Sequence, residues 1–342
     1  MTTVVVIPGD GVGPEVTDQA VHVLATLGLG LDLDVLDQVN ADRFLRTGVA
    51  MTDDEVERAR SADAVLFGAV GDPKVPDPSY ARDVLLRLRF ELDLYVNHRP
   101  AALLADRLSP LRDPALRALD CVVVRENTEG AYAGVGGVLR EHTPYELALD
   151  GDISTAYGVT RVLEYAFAIA RRSVCLVDKA NAVPFGGGLW QRRWSEVSAA
   201  HPDVGTSHLY VDAAAMRLIQ DPTAFDVIVT NNSYGDILSD VTAALAGGPG
   251  TAASANLNPR HGVGLFEPVH GSAPDIAGTG RANPVGSVLS AALLLDHLGH
   301  GAEADALRAA VRATVAAGTC TPDLGGESST KEVGAAITAE VG

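Results

Sequence analysis

The chain predicts an α/β fold around a largely buried sheet, and three observations predict it. Short apolar runs alternate with longer stretches of helical periodicity. The 342 residues suffice for two domains or one large α/β unit, without repeats or low-complexity linkers. A hydrophobic content of 47%, with 35 Gly and 18 Pro, is that of an ordinary globular protein.

In chain order, residues 3–7 read as a strand and 12–27 as a helix. A second strand is expected at 35–39, a helix at Asp53–Ser61, a strand at 64–68 and a helix at 80–94. The turn Ile7-Pro-Gly-Asp-Gly-Val-Gly-Pro-Glu15 invites a nucleotide-binding reading. Its Gly9, Gly11 and Gly13 do not fit G-x-G-x-x-G, however, and Pro14 opens the next helix. A Rossmann fingerprint is therefore not expected, only a tight strand-to-helix turn lining a cleft. A strand follows at 121–125, then a Gly-rich segment at 131–147 that reads as an extended arm. Residues 155–172 are helical, 173–177 a strand, and 210–216 a strand end turning into a helix. After the strand at 225–230 and a polar turn at 231–235, a helical pattern runs to about Ala246. Gly- and Pro-rich loops then lead to helices near 284–298 and 302–317.

A formal charge of −18 argues against nucleic acid or an anionic membrane as partner. The start of the chain runs into a strand and a turn rather than a leader, and the apolar run 288–295 stops at Asp296, far short of a span. Cys121, Cys175 and Cys320 have no metal-ligand spacing, so reduced thiols in a cytoplasmic protein are expected. Only three of the 26 basic residues are lysines, Lys74, Lys179 and Lys331. Lysine is the cation that surroundings can bring near neutrality, which draws attention to Lys179.

The most informative stretch is Gly235-Asp-Ile-Leu-Ser-Asp240. Asp236 and Asp240 stand four apart at a helix start, so both carboxylates point the same way and repel unless a cation lies between them. Hard oxygen ligands on a rigid helix suit Mg²⁺ or Mn²⁺. The plainer alternative makes Asp236 a helix cap and Asp240 a solvated surface residue. Arg89, Arg99 and Arg125 are candidate carboxylate binders, Arg125 because it ends a buried strand. Lys179 also ends a strand and is a candidate general base, with Tyr132 as the matching acid and Asp212 as a third carboxylate for the cation. The loop Glu267-Pro-Val-His-Gly-Ser-Ala-Pro-Asp275 reads as a ligand loop, and Asp275 suits a ribose diol while repelling a 2′-phosphate.

Taken together and in order, Pro8–Glu15, Leu88-Arg89 with Asn97-His-Arg-Pro100, Arg125-Glu-Asn-Thr-Glu129, Lys179-Ala-Asn181, Gly235–Asp240 and Glu267–Asp275 identify a resemblance over essentially the full length. The chain resembles the metal-dependent β-decarboxylating dehydrogenases, the isocitrate/isopropylmalate dehydrogenase family. That resemblance implies a two-domain open α/β sandwich rather than a Rossmann fold. One domain takes in residues 1–94 and 247–342 and binds the cofactor. The other, 95–246, carries the dimer interface, with an arm near 131–150.

It further implies a homodimer in which Lys179 and Asp212 of one subunit meet Arg89, Arg99, Arg125, Tyr132, Asp236 and Asp240 of the other. Asp212, Asp236 and Asp240 would hold Mg²⁺ or Mn²⁺. Lys179 would take the proton of a 2-hydroxy acid as hydride passes to NAD⁺, and Tyr132 would protonate the enol left when CO₂ departs. NAD is expected on His270, Gly271, Ser272, Ala273, Asp275 and Asn283, with Glu267 nearer the nicotinamide, and a need for K⁺ is left open. Leu85 and Leu86 form an apolar wall of the isopropylmalate kind, and Asp83 stands where an isocitrate-type enzyme has serine. Residues 125–130 and 254–259 lean instead toward the tartrate/D-malate branch. The expected substrate is (2R,3S)-3-isopropylmalate, with D-malate, tartrate or another alkyl or aryl malate as alternatives.

Overall fold

The computed structural model describes residues 2–77 and 79–341. Its strands are β1 (Thr3–Gly9), β2 (Asp32–Val35), β3 (Ala64–Ala69), β4 (Val96–Ala102), β5 (Asp120–Glu126), β6 (Gly136–Leu139), β7 (Leu147–Asp150), β8 (Ser173–Asp178), β9 (Gly205–Tyr210), β10 (Val227–Thr230), β11 (Ala253–Leu257) and β12 (Gly264–Pro268). Ten of them form one sheet in the order β2-β1-β3-β12-β11-β4-β5-β10-β8-β9. The pairing is parallel towards both edges, and the antiparallel contacts β12–β11, β11–β4 and β4–β5 join the two parallel halves at the centre.

The apolar core divides along that sheet. On the β1 side, Val4, Leu24, Leu66, Phe266 and Leu294 pack on one face and Ile7, Val56, Phe67 and Leu88 on the other. On the β10 side, Val124, Leu163 and Val229 occupy one face and Val123, Leu218 and Leu238 the other. Between them runs a buried polar seam. Asn97 donates to Ser254 Oγ (2.8 Å) and Asn256 Oδ1 (3.0 Å), Asn127 donates to Asn256 Oδ1 (3.0 Å), and Asn256 donates to Glu267 Oε1 (2.8 Å). Amides buried with their partners cost little, and their geometry fixes the register of β4 on β11.

Several elements differ from the sequence reading. The expected strand at 35–39 is displaced to β2, because Leu36 and Val39 are buried by a turn rather than by a ladder. The helix expected over 80–94 is interrupted by a π turn at Arg82–Leu86, a register shift that hydrophobic spacing cannot signal. Strands β11 and β12 fall where loops were expected, because the polar residues Ser254, Asn256 and Glu267 are buried within them. The arm takes the form of the antiparallel pair β6–β7, with Val138, Leu139, Leu147 and Leu149 all more than half exposed.

Candidate active site

The site is built where β5 and β10 end and the antiparallel β4 begins. After β10, Asn231 caps the helix Asn232–Ala246 by accepting from Tyr234 N–H (2.9 Å). Asp236 therefore lies in the second turn and is not the cap, which removes the plainer reading of that residue. Gly235 is required here, since a Cβ would meet the Arg125 side chain at 2.6 Å. The β4–β5 register pairs Asn97 with Arg125, so Arg99, two residues along, projects from the same face of the sheet as Arg125.

Arg125 is almost wholly buried. Its Nε and Nη2 donate to Asn232 Oδ1 (3.0 and 2.7 Å), and Nη1 donates to Asp236. Tyr132 places its ring 5.1 Å from the Arg125 guanidinium, and its hydroxyl donates to Asp236 Oδ2 (2.8 Å). Arg99 Nη1 donates to Ser239 Oγ (2.6 Å) and lies 3.5 Å from Asp236 and 3.8 Å from Asp240. Arg89 Nη2 is 2.9 Å from Glu267 Oε1 in a pair buried on both sides. One face of one helix thus gathers Arg99, Arg125, Tyr132, Asp236 and Asp240, with Arg89 close enough to bias their charges.

The electrostatics follow from that crowding. Burial, with Arg99 and Arg89 adding to it, pulls the Arg125 guanidinium down to about 10. Burial alone would raise Asp236, but Arg125, the Tyr132 hydroxyl and Arg99 hold it below the usual carboxylate range. Asp240 is raised, by burial and by the charge of Asp236, with Arg99 opposing. The Tyr132 phenol is raised by burial and by its bond to Asp236.

Lys179 and Asp212 stand apart from this group. Lys179 follows β8, Asp212 sits in the first turn of the helix Val211–Gln220, and Nζ lies 2.6 Å from Asp212 Oδ1. Neither residue makes a hydrogen bond or ion pair to the Asp236 cluster among the described residues. No set of three His, Cys, Asp or Glu side chains converges as a metal site within them. The chain therefore supplies the three expected ligands in two groups, Asp236 with Asp240 and Asp212 with Lys179.

The ligand loop packs on the N-terminal glycine turn. Val12 N–H donates to the Ser272 carbonyl (2.8 Å), and a Cβ on Gly11 (φ +59) would lie 1.9 Å from that oxygen. Ala273 is turned to φ +37. His270 Nδ1 is 2.9 Å from the Gly271 carbonyl, its Nε2 is buried without a partner, and burial lowers its pKa. Gly271 and Asp275 are exposed. Asn283 donates to Asp323 (2.9 Å) and accepts from Val285 N–H (3.0 Å). Glu267, expected beside the nicotinamide, is committed to Arg89 and Asn256. Leu85 leans on the core around Leu88, whereas Leu86 is half-buried outside it.

Asn232 and Ser239 escaped the sequence reading. Each fixes an arginine that was predicted; Asn232 lay in a stretch read as a turn, and Ser239 lay within Gly235–Asp240, where only the two aspartates were singled out. No spacing rule picks them out, because their role appears only when β5 and β4 are laid against the helix.

A protein-family model described as isocitrate/isopropylmalate dehydrogenase matches residues 3–337. A curated 3-isopropylmalate dehydrogenase from Leifsonia xyli subsp. xyli is 50% identical over 327 residues, covering 92% of this chain and 90% of the relative. Another, from Corynebacterium kroppenstedtii, is 47% identical over 340 residues, covering 97% of each. Among solved structures, the isocitrate dehydrogenase from Methylococcus capsulatus superposes with a TM-score of 0.90 at 35% identity, covering 100% of this chain and 99% of that one. With the motifs in order and the arginine–aspartate site assembled on this sheet, the chain belongs to the isocitrate/isopropylmalate dehydrogenase family.

Proposed function

We propose that the protein oxidatively decarboxylates (2R,3S)-3-isopropylmalate to 4-methyl-2-oxopentanoate and CO₂, using NAD⁺ and Mg²⁺ or Mn²⁺. The observation that carries this reading is the convergence of Arg99, Arg125 and Tyr132 on the carboxylates of Asp236 and Asp240. The relatives at 47–50% identity that bear the 3-isopropylmalate dehydrogenase name support the choice of substrate.

The donor set fits a hard divalent cation. Asp236 and Asp240 are oxygen ligands on one helix face, and Asp236 raises the pKa of Asp240, a repulsion that a cation relieves. When bound, the cation polarises the substrate hydroxyl and the carbonyl that replaces it. The loop fits a dinucleotide through the unpartnered Nε2 of His270, the open face at Gly271 and the anionic Asp275, which disfavours a 2′-phosphate and so selects NAD over NADP. A nicotinamide held there would supply the acceptor for the hydride that leaves C2.

The chain's own groups do the rest. Arg89, Arg99 and Arg125 bind the two substrate carboxylates, which replace Asp236 and Ser239 among their partners. Lys179 Nζ accepts the hydroxyl proton. Once the C3 carboxylate has left as CO₂, the Tyr132 hydroxyl delivers a proton to C3. In this reading Lys179 and Asp212 serve the site of a second copy, and the apolar β6–β7 arms build the dimer. The cofactor domain spans 1–94 and 247–342, and 95–246 forms the other. The three free, buried cysteines suit a reducing cytoplasm.

The test is NADH formation with Mg²⁺, with and without K⁺, on 3-isopropylmalate and (R)-malate. A kcat/KM at least ~100-fold higher for isopropylmalate is expected, about 3 kcal/mol for the alkyl group against Leu86 and Leu85. An equal or reversed ratio would transfer the enzyme to the D-malate/tartrate branch.

A further inference from the structure

The helix Asn232–Ala246 serves two spaces. Asp236 and Asp240 face the site described above. Ser239, Thr242, Ala243 and Ala246 repeat at i, i+3, i+4 and i+7, on a face roughly a quarter turn around the helix. That second face lines a cavity of about 100 Å³. The other walls are Ala101 and Ala102 at the end of β4 and Leu289 and Leu293 of the helix Val285–His297. Arg99, Arg308 and Arg312 complete it. Arg89, Arg125, Tyr132, Asp236 and Lys179 take no part, so the space meets the catalytic one only at Arg99 and Ser239.

The three arginines differ in what they have left to give. Arg308 is neutralised by Asp296 (2.7 and 3.1 Å) and Asp305 (2.9 Å). Arg312 is exposed and makes no hydrogen bond or ion pair among the described residues, so it stands at the mouth as a free cation. Arg99 is more than nine-tenths buried, and its Nε has no partner. An apolar chamber under a free guanidinium suits an amphiphilic anion. A cavity of about 150 Å³ lined by apolar side chains holds benzene, so this one accepts a chain of roughly four carbons. A carboxylate buried among alanines and leucines would lose its hydration without a partner to replace it, so the head belongs outside on Arg312.

We propose that this cavity is a second ligand site, taking a short aliphatic carboxylate with its chain between Ala246 and Leu293 and its head on Arg312. Arg99 and Ser239 border both spaces and bond to each other at 2.6 Å. An occupant therefore shifts Arg99 against the substrate carboxylate and changes the substrate's affinity, and substrate changes the occupant's affinity by the same factor.

The probe is 4-methylpentanoate, followed by saturation-transfer NMR on the full-length protein, with 4-methylpentan-1-ol as the uncharged control. Ala246→Phe fills the chamber and is expected to weaken the acid at least about tenfold. Arg312→Ala is expected to weaken the acid about threefold and leave the alcohol unchanged. Arg125→Ala, altered only on the catalytic side, is expected to bind the acid as the parent does. These binding results do not depend on which malate is the substrate. With 3-isopropylmalate, the acid should move KM and leave kcat in place. No binding at millimolar acid, parental binding in both Ala246→Phe and Arg312→Ala, or loss of binding in Arg125→Ala would each overturn the proposal. Should Ala246→Phe fail to fold, the exposed Arg312 position decides the matter alone.

Discussion

The Asp236 cluster and the Lys179–Asp212 pair both set a cation on a carboxylate, but in opposite surroundings. The Arg125 side chain is 2% exposed and Asp236 36%, whereas Lys179 is 25% and Asp212 64% exposed, so the second pair lies nearer the solvent. In the cluster both arginines are held by neighbours of the same chain: Asn232 and Asp236 take Arg125, and Ser239 takes Arg99 through Nη1. Such a group must be complete within its own chain, because a buried charge left without a partner costs several kcal/mol. A pair in water gains little from being made and loses little from being parted. Lys179 and Asp212 can therefore exchange one another for ligands elsewhere, which is what residues lent to another subunit require.

The largest effects should fall on activity. Lys179→Met is expected to lower kcat about 10³-fold or more without changing the melting temperature, since it removes the base and only a solvent-exposed ion pair. Asp236→Asn should be comparably inactive, and a chelator should silence the parent enzyme reversibly. Mixing the two inactive variants distinguishes the two regions. If Lys179 works in the partner's site, half of the randomly formed dimers carry one intact site, and about a quarter of parental activity returns. If Lys179 works in its own chain, every site carries a lesion and the mixture stays inactive.

Stability should separate a buried pair beside the cluster, Arg89–Glu267, from Lys179–Asp212. Glu267→Gln leaves Arg89 buried beside a neutral amide and is expected to cost about 3–5 kcal/mol in urea unfolding. Asp212→Asn should leave the unfolding midpoint where it is. Equal losses in the two variants would mean that the Lys179 pair is structural, and the contrast would collapse.

How far all this could be read in advance also follows a boundary between surroundings. Strands β5, β8 and β10 were legible because each is an apolar run, and Arg125, Lys179 and Asp236 because each follows one. Strands β11 and β12 were not, since Ser254, Asn256 and Glu267 are buried there and imitate loop chemistry. The residue types of the site were legible as well, but their convergence was not. Arg99 and Arg125 meet only through the register of β4 on β5, and Asn232 and Ser239 acquire roles only from that meeting. The π turn at 82–86 defeats any fixed period, which is why Leu85 and Leu86 looked equivalent although only Leu85 packs on the core.

The smallest effect sharpens the comparison through pH. Glu126, next to Arg125 at the end of β5, is buried and accepts from Thr128 N–H (3.0 Å), Thr128 Oγ1 (2.8 Å) and Glu129 N–H (2.7 Å). Burial outweighs those donors and pushes its carboxyl up to about 6, against 4.5 for the free side chain. Between those values the folded chain holds a proton that the unfolded chain has released. Its contribution therefore falls as pH rises through that window, by about 2 kcal/mol in all. Asp236 works in the other direction, because a carboxyl held low stabilises the fold at neutral pH and loses that contribution as acid protonates it. Urea unfolding of the parent from pH 7 down to about pH 2 contains both slopes, the Asp236 loss lying below 3.8, the value of the free side chain. In Glu126→Gln the downward slope above pH 4.5 should vanish while the acid-side loss persists, and an unchanged profile would mean that Glu126 titrates alike in the folded and unfolded chain.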